Sequence, residues 1–72
     1  MTLDDAIKAV AGEAPDEYAR AYADAAMQAA DEAGTHGLEA QVRYILANLS
    51  TWRGARAVKV KMAMRRWLQG RL

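Results

Sequence analysis

The sequence predicts an all-α fold, a small bundle of three to four helices in one domain over residues 1–72, and three observations carry that expectation. Leu38, Val42, Ile45, Leu49 and Trp52 follow one another at steps of four, three, four and three, the seam of a helix with one apolar stripe, which Leu46 widens. Seventeen residues are alanine, the strongest helix former. Glycines and the single proline then punctuate the chain at intervals that suit helix ends. No other segment gathers so many large apolar side chains on one face, so residues 38–52 are expected to form the central helix.

The remaining elements follow in order. Thr2 is a good N-cap, and Asp4 and Asp5 suit the positive end of a helix dipole. Leu3, Ala6, Ile7 and Val10 share a stripe and Gly12 is a C-terminal stop, which gives a first helix over about 3–11. Pro15 belongs in the first turn of a second helix running over 15–33 to Gly34. On that helix Tyr18, Tyr22, Ala25, Ala29 and Ala33 form an apolar face, and Ala19, Ala23, Ala26, Met27 and Ala30 form another, shallower one. Asp16 and Asp24 are each spaced for an ion pair with Arg20.

Gly34-Thr35-His36-Gly37 reads as a turn between the second and central helices. At the far end of the central helix, Asn48, Ser50 and Thr51 prefer caps and turns. Two endings follow: the helix runs to Arg53 and stops at Gly54, or it breaks near Leu49 and Ser50 or Thr51 caps the next one. The last segment, 55–68, alternates like an exposed strand over Val58–Met64, yet its Ala, Met, Lys, Arg and Leu favour helix and no partner strand is on offer. As a helix it places Ala57, Val60, Met64, Trp67 and Leu68 on a broad apolar face and Ala55, Val58 and Met62 on a narrower one. Residues 70–72 are expected to fray.

Composition bounds what such a fold achieves. Hydrophobic residues make up 53%, but alanine buries little area, there is no Phe, and the aromatics are Tyr18, Tyr22, Tyr44, Trp52 and Trp67. A core of this size rarely supplies more than about 3–5 kcal/mol alone, so small folds are commonly cross-linked or oligomeric. The absence of cysteine removes disulfides, thiolate metal sites and thiol catalysis, which leaves association. Without a basic region followed by an apolar run at the N-terminus, or any stretch of transmembrane length, the expected location is the cytoplasm.

The net charge of +1 conceals a segregated layout. Residues 1–39 carry all nine acids and only Lys8 and Arg20 as bases, a net of −7; residues 40–72 carry eight bases and no acid. Such asymmetry points to nucleic acid or to an acid-to-base match between protein surfaces.

The chemistry of catalysis is thinly represented. His36 is the only histidine; with Asp31 and Glu32 it makes at most a sparse metal cluster, and the better reading is a loop histidine at a helix C-terminus, where a partial positive charge is welcome. Ser50 is the only serine and has no base at a useful sequence relation. Asp4/Asp5, Asp16/Glu17 and Asp31/Glu32 read as helix-start and solvated charge, not as acid–base pairs in a cleft. No glycine-rich phosphate loop is present. These readings predict no catalytic residue, no cofactor and no metal.

Arg53, Arg56, Lys59, Lys61, Arg65 and Arg66 are the candidate nucleic-acid-binding residues, able to follow phosphates without reading sequence, since only Gln69 offers a base-edge contact. The competing account packs this basic helix beside the acidic second helix, in the same chain or in a partner. A membrane surface fits less well, because the basic residues lie on both flanks of the helix.

The run Arg43-Tyr44-Ile45-Leu46-Ala47-Asn48-Leu49-Ser50-Thr51-Trp52-Arg53-Gly54-Ala55-Arg56, with Val58 and Lys59 after it, resembles a pattern in small accessory proteins encoded by bacteriophages and prophages. The resemblance covers the second half of the chain and brings no catalytic residues. It implies a non-enzymatic module that binds a host or phage protein stoichiometrically, in the cytoplasm of a bacterial host. Tyr18, Tyr22, Met62, Met64 and Trp67 are the candidate interface residues, and the excess of apolar stripes over available core suggests an antiparallel homodimer with the second and fourth helices at its interface.

Overall fold

The computed structural model describes residues 1–32 and 34–70, and the side chains of those residues apart from 29–36. Within them the protein is an all-α bundle of α1 (Leu3–Glu13), α2 (Glu17–Glu32), α3 (Gly34–Ala47) and α4 (Ala55–Gln69). Each helix packs on its two sequence neighbours in a ring, α4 closing back on α1. Among the described residues α2 and α4 make no close backbone approach, nor do α1 and α3, so each of these pairs sits at opposite corners.

The helix starts reflect local chemistry. Thr2 Oγ1 accepts a hydrogen bond from the Asp5 N–H at 3.1 Å, as its N-cap position requires. α1 runs through Gly12 to Glu13, two residues beyond the expected end, and the Ala14 N–H closes it on the Val10 carbonyl at 3.1 Å. Gly12 is therefore an interior helical residue; no positive φ is needed there. α2 begins after Pro15, with the Asp16 carboxylate accepting from the Ala19 N–H at 2.9 Å. Arg20 forms neither ion pair suggested by its spacing; its guanidinium donates to the Ala14 carbonyl at 2.9 Å and ties α2 to the preceding turn.

α3 starts at Gly34, so the expected turn over 34–37 is instead the first turn of the helix. Each glycine costs about 1 kcal/mol in a helix relative to alanine, a penalty that tertiary packing overrides. Ala33 lies outside the described residues. Tyr22 lies about 15 Å along α2 from its last residue, Glu32, and Tyr44 about 15 Å along α3 from its first, Gly34, yet their rings stack with centroids 5.4 Å apart and planes inclined by 27°. α3 thus doubles back along α2.

The other end of α3 departs from expectation in the opposite sense. The helix stops at Ala47, and Leu49 and Trp52 continue the apolar seam from an irregular connection. Asn48 donates from Nδ2 to the Tyr44 carbonyl at 2.8 Å, and tight turns follow from the Leu49 N–H to the Leu46 carbonyl and from the Trp52 N–H to the Leu49 carbonyl. Lys61 Nζ, reaching from α4, donates to the Trp52 carbonyl at 2.7 Å. Neither Ser50 nor Thr51 caps α4. That role falls to Gly54, whose φ of 110° is a conformation that glycine adopts without a Cβ penalty.

One core draws on all four helices: Ala6, Ile7, Ala9 and Val10 of α1; Ala19, Ala23 and Ala26 of α2; Val42 and Ile45 of α3, with Leu49 beyond it; and Val60 and Met64 of α4. The broad face predicted for α4 is the buried one. On α2 the assignment is reversed: of the face expected to be the shallower one, Ala19, Ala23 and Ala26 are fully buried and Met27 is partly buried, with Ala30 outside the described side chains, while Tyr18 of the other face is 64% exposed.

Candidate functional site

With one face of α4 committed to the core, the opposite face is the surface most distinct from the rest of the molecule. Val58, Met62, Arg65 and Gln69 follow at helical spacing along it, with Lys59 and Arg66 beside them, and all six are exposed. Val58 is 55% and Met62 45% exposed. An open groove of about 470 Å³ between the N-terminus and α4 is lined by Met1, Arg56, Lys59, Met62, Ala63 and Arg66. A smaller depression, about 230 Å³, lies across Met62, Arg65, Arg66 and Gln69. Met62 and Arg66 border both.

The electrostatics of this face follow from where α4 sits. Because α2 is at the opposite corner, the acidic second helix does not neutralise it within the chain. Among the described residues one ion pair joins different helices: Arg56 forks onto Glu13, its Nη2 at 2.9 Å from Oε2 and its Nε at 3.1 Å from Oε1. The hydrogen bond from Arg56, aided by its charge, holds the Glu13 carboxyl below its usual range, and the same contact raises the Arg56 guanidinium. The other two ion pairs, Lys8–Asp4 and Arg43–Glu39, are one-turn contacts within α1 and α3. Lys8 is raised by its hydrogen bond to Asp4 and by the charge of that carboxylate. Lys59, Arg65 and Arg66, with Arg53 in the preceding connection, have no hydrogen-bond or ion-pair partner among the described residues.

The sequence-derived candidates therefore separate. Arg53, Lys59, Arg65 and Arg66 are exposed cations; Arg56 is engaged with Glu13, and Lys61 is partly buried against the Trp52 carbonyl. Among the candidate interface residues, Met62 and Tyr18 are on the surface, whereas Tyr22 stacks on Tyr44 and packs against the core. Met64 is fully buried and Trp67 half-buried against the core, so the chain's own fold uses the two residues that the apolar periodicity also offered as interface anchors. Tyr44, 54% exposed and stacked on Tyr22, was not among the candidates, because it lies off the apolar stripe of residues 38–52. No group of three His, Asp or Glu side chains among the described residues could hold a metal ion; Asp31, Glu32 and His36 lie outside the described side chains. Among the described residues no helix is long and apolar enough to cross a membrane.

No protein-family model matches this chain, and comparison with curated proteins and with solved structures returns no significant match.

Proposed function

We propose that this chain is a small non-enzymatic interaction module, phage-encoded and acting in the bacterial cytoplasm, that binds a host or phage protein stoichiometrically through the outer face of α4. The observation that carries the reading is the exposed pair Val58 and Met62 set among Lys59, Arg65 and Arg66, cations that no described acidic side chain offsets. Apolar anchors with a charged rim are the usual anatomy of a protein interface. The matching partner surface is an apolar groove edged with carboxylates, which would also gain in encounter rate from the basic field.

A second reading, nucleic-acid binding by the same face, rests on Arg53, Lys59, Arg65 and Arg66, exposed cations with no ion-pair partner among the described residues. Against it, the centre of the face is apolar and Gln69 alone offers an amide for base edges. The test is capture from the native host with tagged wild-type chain and with Val58→Asp/Met62→Asp. One protein retained at equal stoichiometry by the wild type and lost by the variant supports protein binding. Binding of a random-sequence oligonucleotide that survives the variant and falls steeply with salt favours the second reading instead.

A further inference from the structure

The outer faces of α2 and α4 are both exposed and charged, with opposite sign, and the ring places them on opposite sides of the molecule. On α2, Glu17, Ala21, Asp24 and Gln28 follow at steps of four, three and four, and all are exposed. On α4, Lys59, Met62 and Arg66 follow at steps of three and four, also exposed. Glu17 and Asp24 are thus separated by the same about 10.5 Å of helix as Lys59 and Arg66. Between the two carboxylates sits the small Ala21; between the two cations sits the protruding Met62.

We infer that the outer face of α4 docks the outer face of α2 of a second copy, head to tail, with the two helices antiparallel. That direction brings the steps into register: Glu17 meets Arg66, Ala21 meets Met62 four residues along each helix, and Asp24 meets Lys59 three residues further. A parallel arrangement would pair a step of four with a step of three. Antiparallel helices also oppose their macrodipoles favourably. A two-fold dimer holding both faces at one interface would need them on one side of the molecule, which the diagonal placement of α2 and α4 prevents. The contact is therefore heterologous and leaves one free face of each kind at the ends, so association continues past the dimer. A helix face about 22 Å long and 10 Å wide is well short of the about 800 Å² per partner of a standard interface, which makes the contact weak and salt-sensitive.

Sedimentation velocity of the full chain at about 20 mM and about 500 mM salt tests this, with two charge-reversed variants, Glu17→Lys/Asp24→Lys and Lys59→Glu/Arg66→Glu. All four positions are exposed, and circular dichroism checks that helix content is retained. In the wild type at low salt the weight-average mass should rise with concentration past twice 7.9 kDa and return to the monomer at high salt. Each variant alone should stay monomeric, and an equimolar mixture of the two should associate again, because each supplies the face that the other has inverted. A wild-type monomer at every concentration overturns the inference, as does a dimer that stops at two chains or survives either reversal, or a mixture that stays monomeric. The α2 variant leaves α4 intact, so loss of self-association with partner capture retained separates this inference from the proposed function.

Discussion

The two halves of the core are built from different materials. The fully buried side chains of α2 are all alanines, Ala19, Ala23 and Ala26, with Tyr22 and Met27 only partly buried beside them, whereas α3, the connection after it and α4 bury the larger Val42, Ile45, Leu49, Val60 and Met64. Small side chains let α2 lie close to both α1 and α3, and they contribute little burial energy of their own. The large residues after Gly37 supply most of the apolar area, and the alanine wall supplies the shape into which they pack. Ranking faces by side-chain size therefore works on α3 and α4 and fails on α2, where the tyrosines are large but carry hydroxyls that seek water. Tyr18 stays in solvent and Tyr22 finds Tyr44 instead.

The largest effect expected from breaking this arrangement is on the heavy wall. Leu49 is 1% exposed although it lies outside any helix, so Leu49→Ala leaves a void that the connection after α3 must collapse to fill. A loss of about 2–5 kcal/mol is expected, read from the midpoint of urea unfolding. An unchanged midpoint would mean that the seam does not organise the fold.

On the alanine wall the damaging change is addition, not removal. Ala23 is fully buried at the centre of the wall, and Ala23→Leu should push α2 off its neighbours at a cost of about 1–3 kcal/mol. Tyr18→Ala, on the same helix but outside it, should move the unfolding midpoint hardly at all. If Ala23→Leu is tolerated as readily as Tyr18→Ala, the close approach of α2 is not what fixes the bundle.

Helix number, order and the inward faces of α1, α3 and α4 were legible because each rests on a periodicity several residues long. The ends of α3 were not. Gly34 and Gly37 permit a turn, but permission is not a requirement, and α3 takes both as helical residues. Leu49 and Trp52 continue the helical spacing past Ala47 because a connection that crosses the core must also be apolar, and spacing alone does not separate the two cases. Asn48, Ser50 and Thr51 did carry the signal of an early stop. Of the candidate site, the basic residues and Met62 were visible in the sequence. Which cations are free was not, since the fork of Arg56 on Glu13 spans forty-three residues. Gln41 was equally hidden: its Oε1 is buried and accepts no hydrogen bond from the described residues.

That fork provides the smallest expected effect and the sharpest link between the halves, because it fastens the end of α1 to the start of α4 across the charge boundary. Both side chains are about half exposed, so the pair is screened and contributes modestly. Its pH dependence has a definite sign. Folding lowers the Glu13 carboxyl from its ordinary 4.5, so the contribution is complete above that value and disappears as pH falls through the lower folded-state value. The difference in melting temperature between wild type and Glu13→Gln should therefore be small but measurable at about pH 7 in low salt. It should close as the solution is acidified below about 4.5, and also at neutral pH in about 1 M salt, where the Debye length of about 3 Å removes most of the attraction. A difference that persists under both conditions would assign the effect of the substitution to packing at the α1–α4 corner, not to the ion pair.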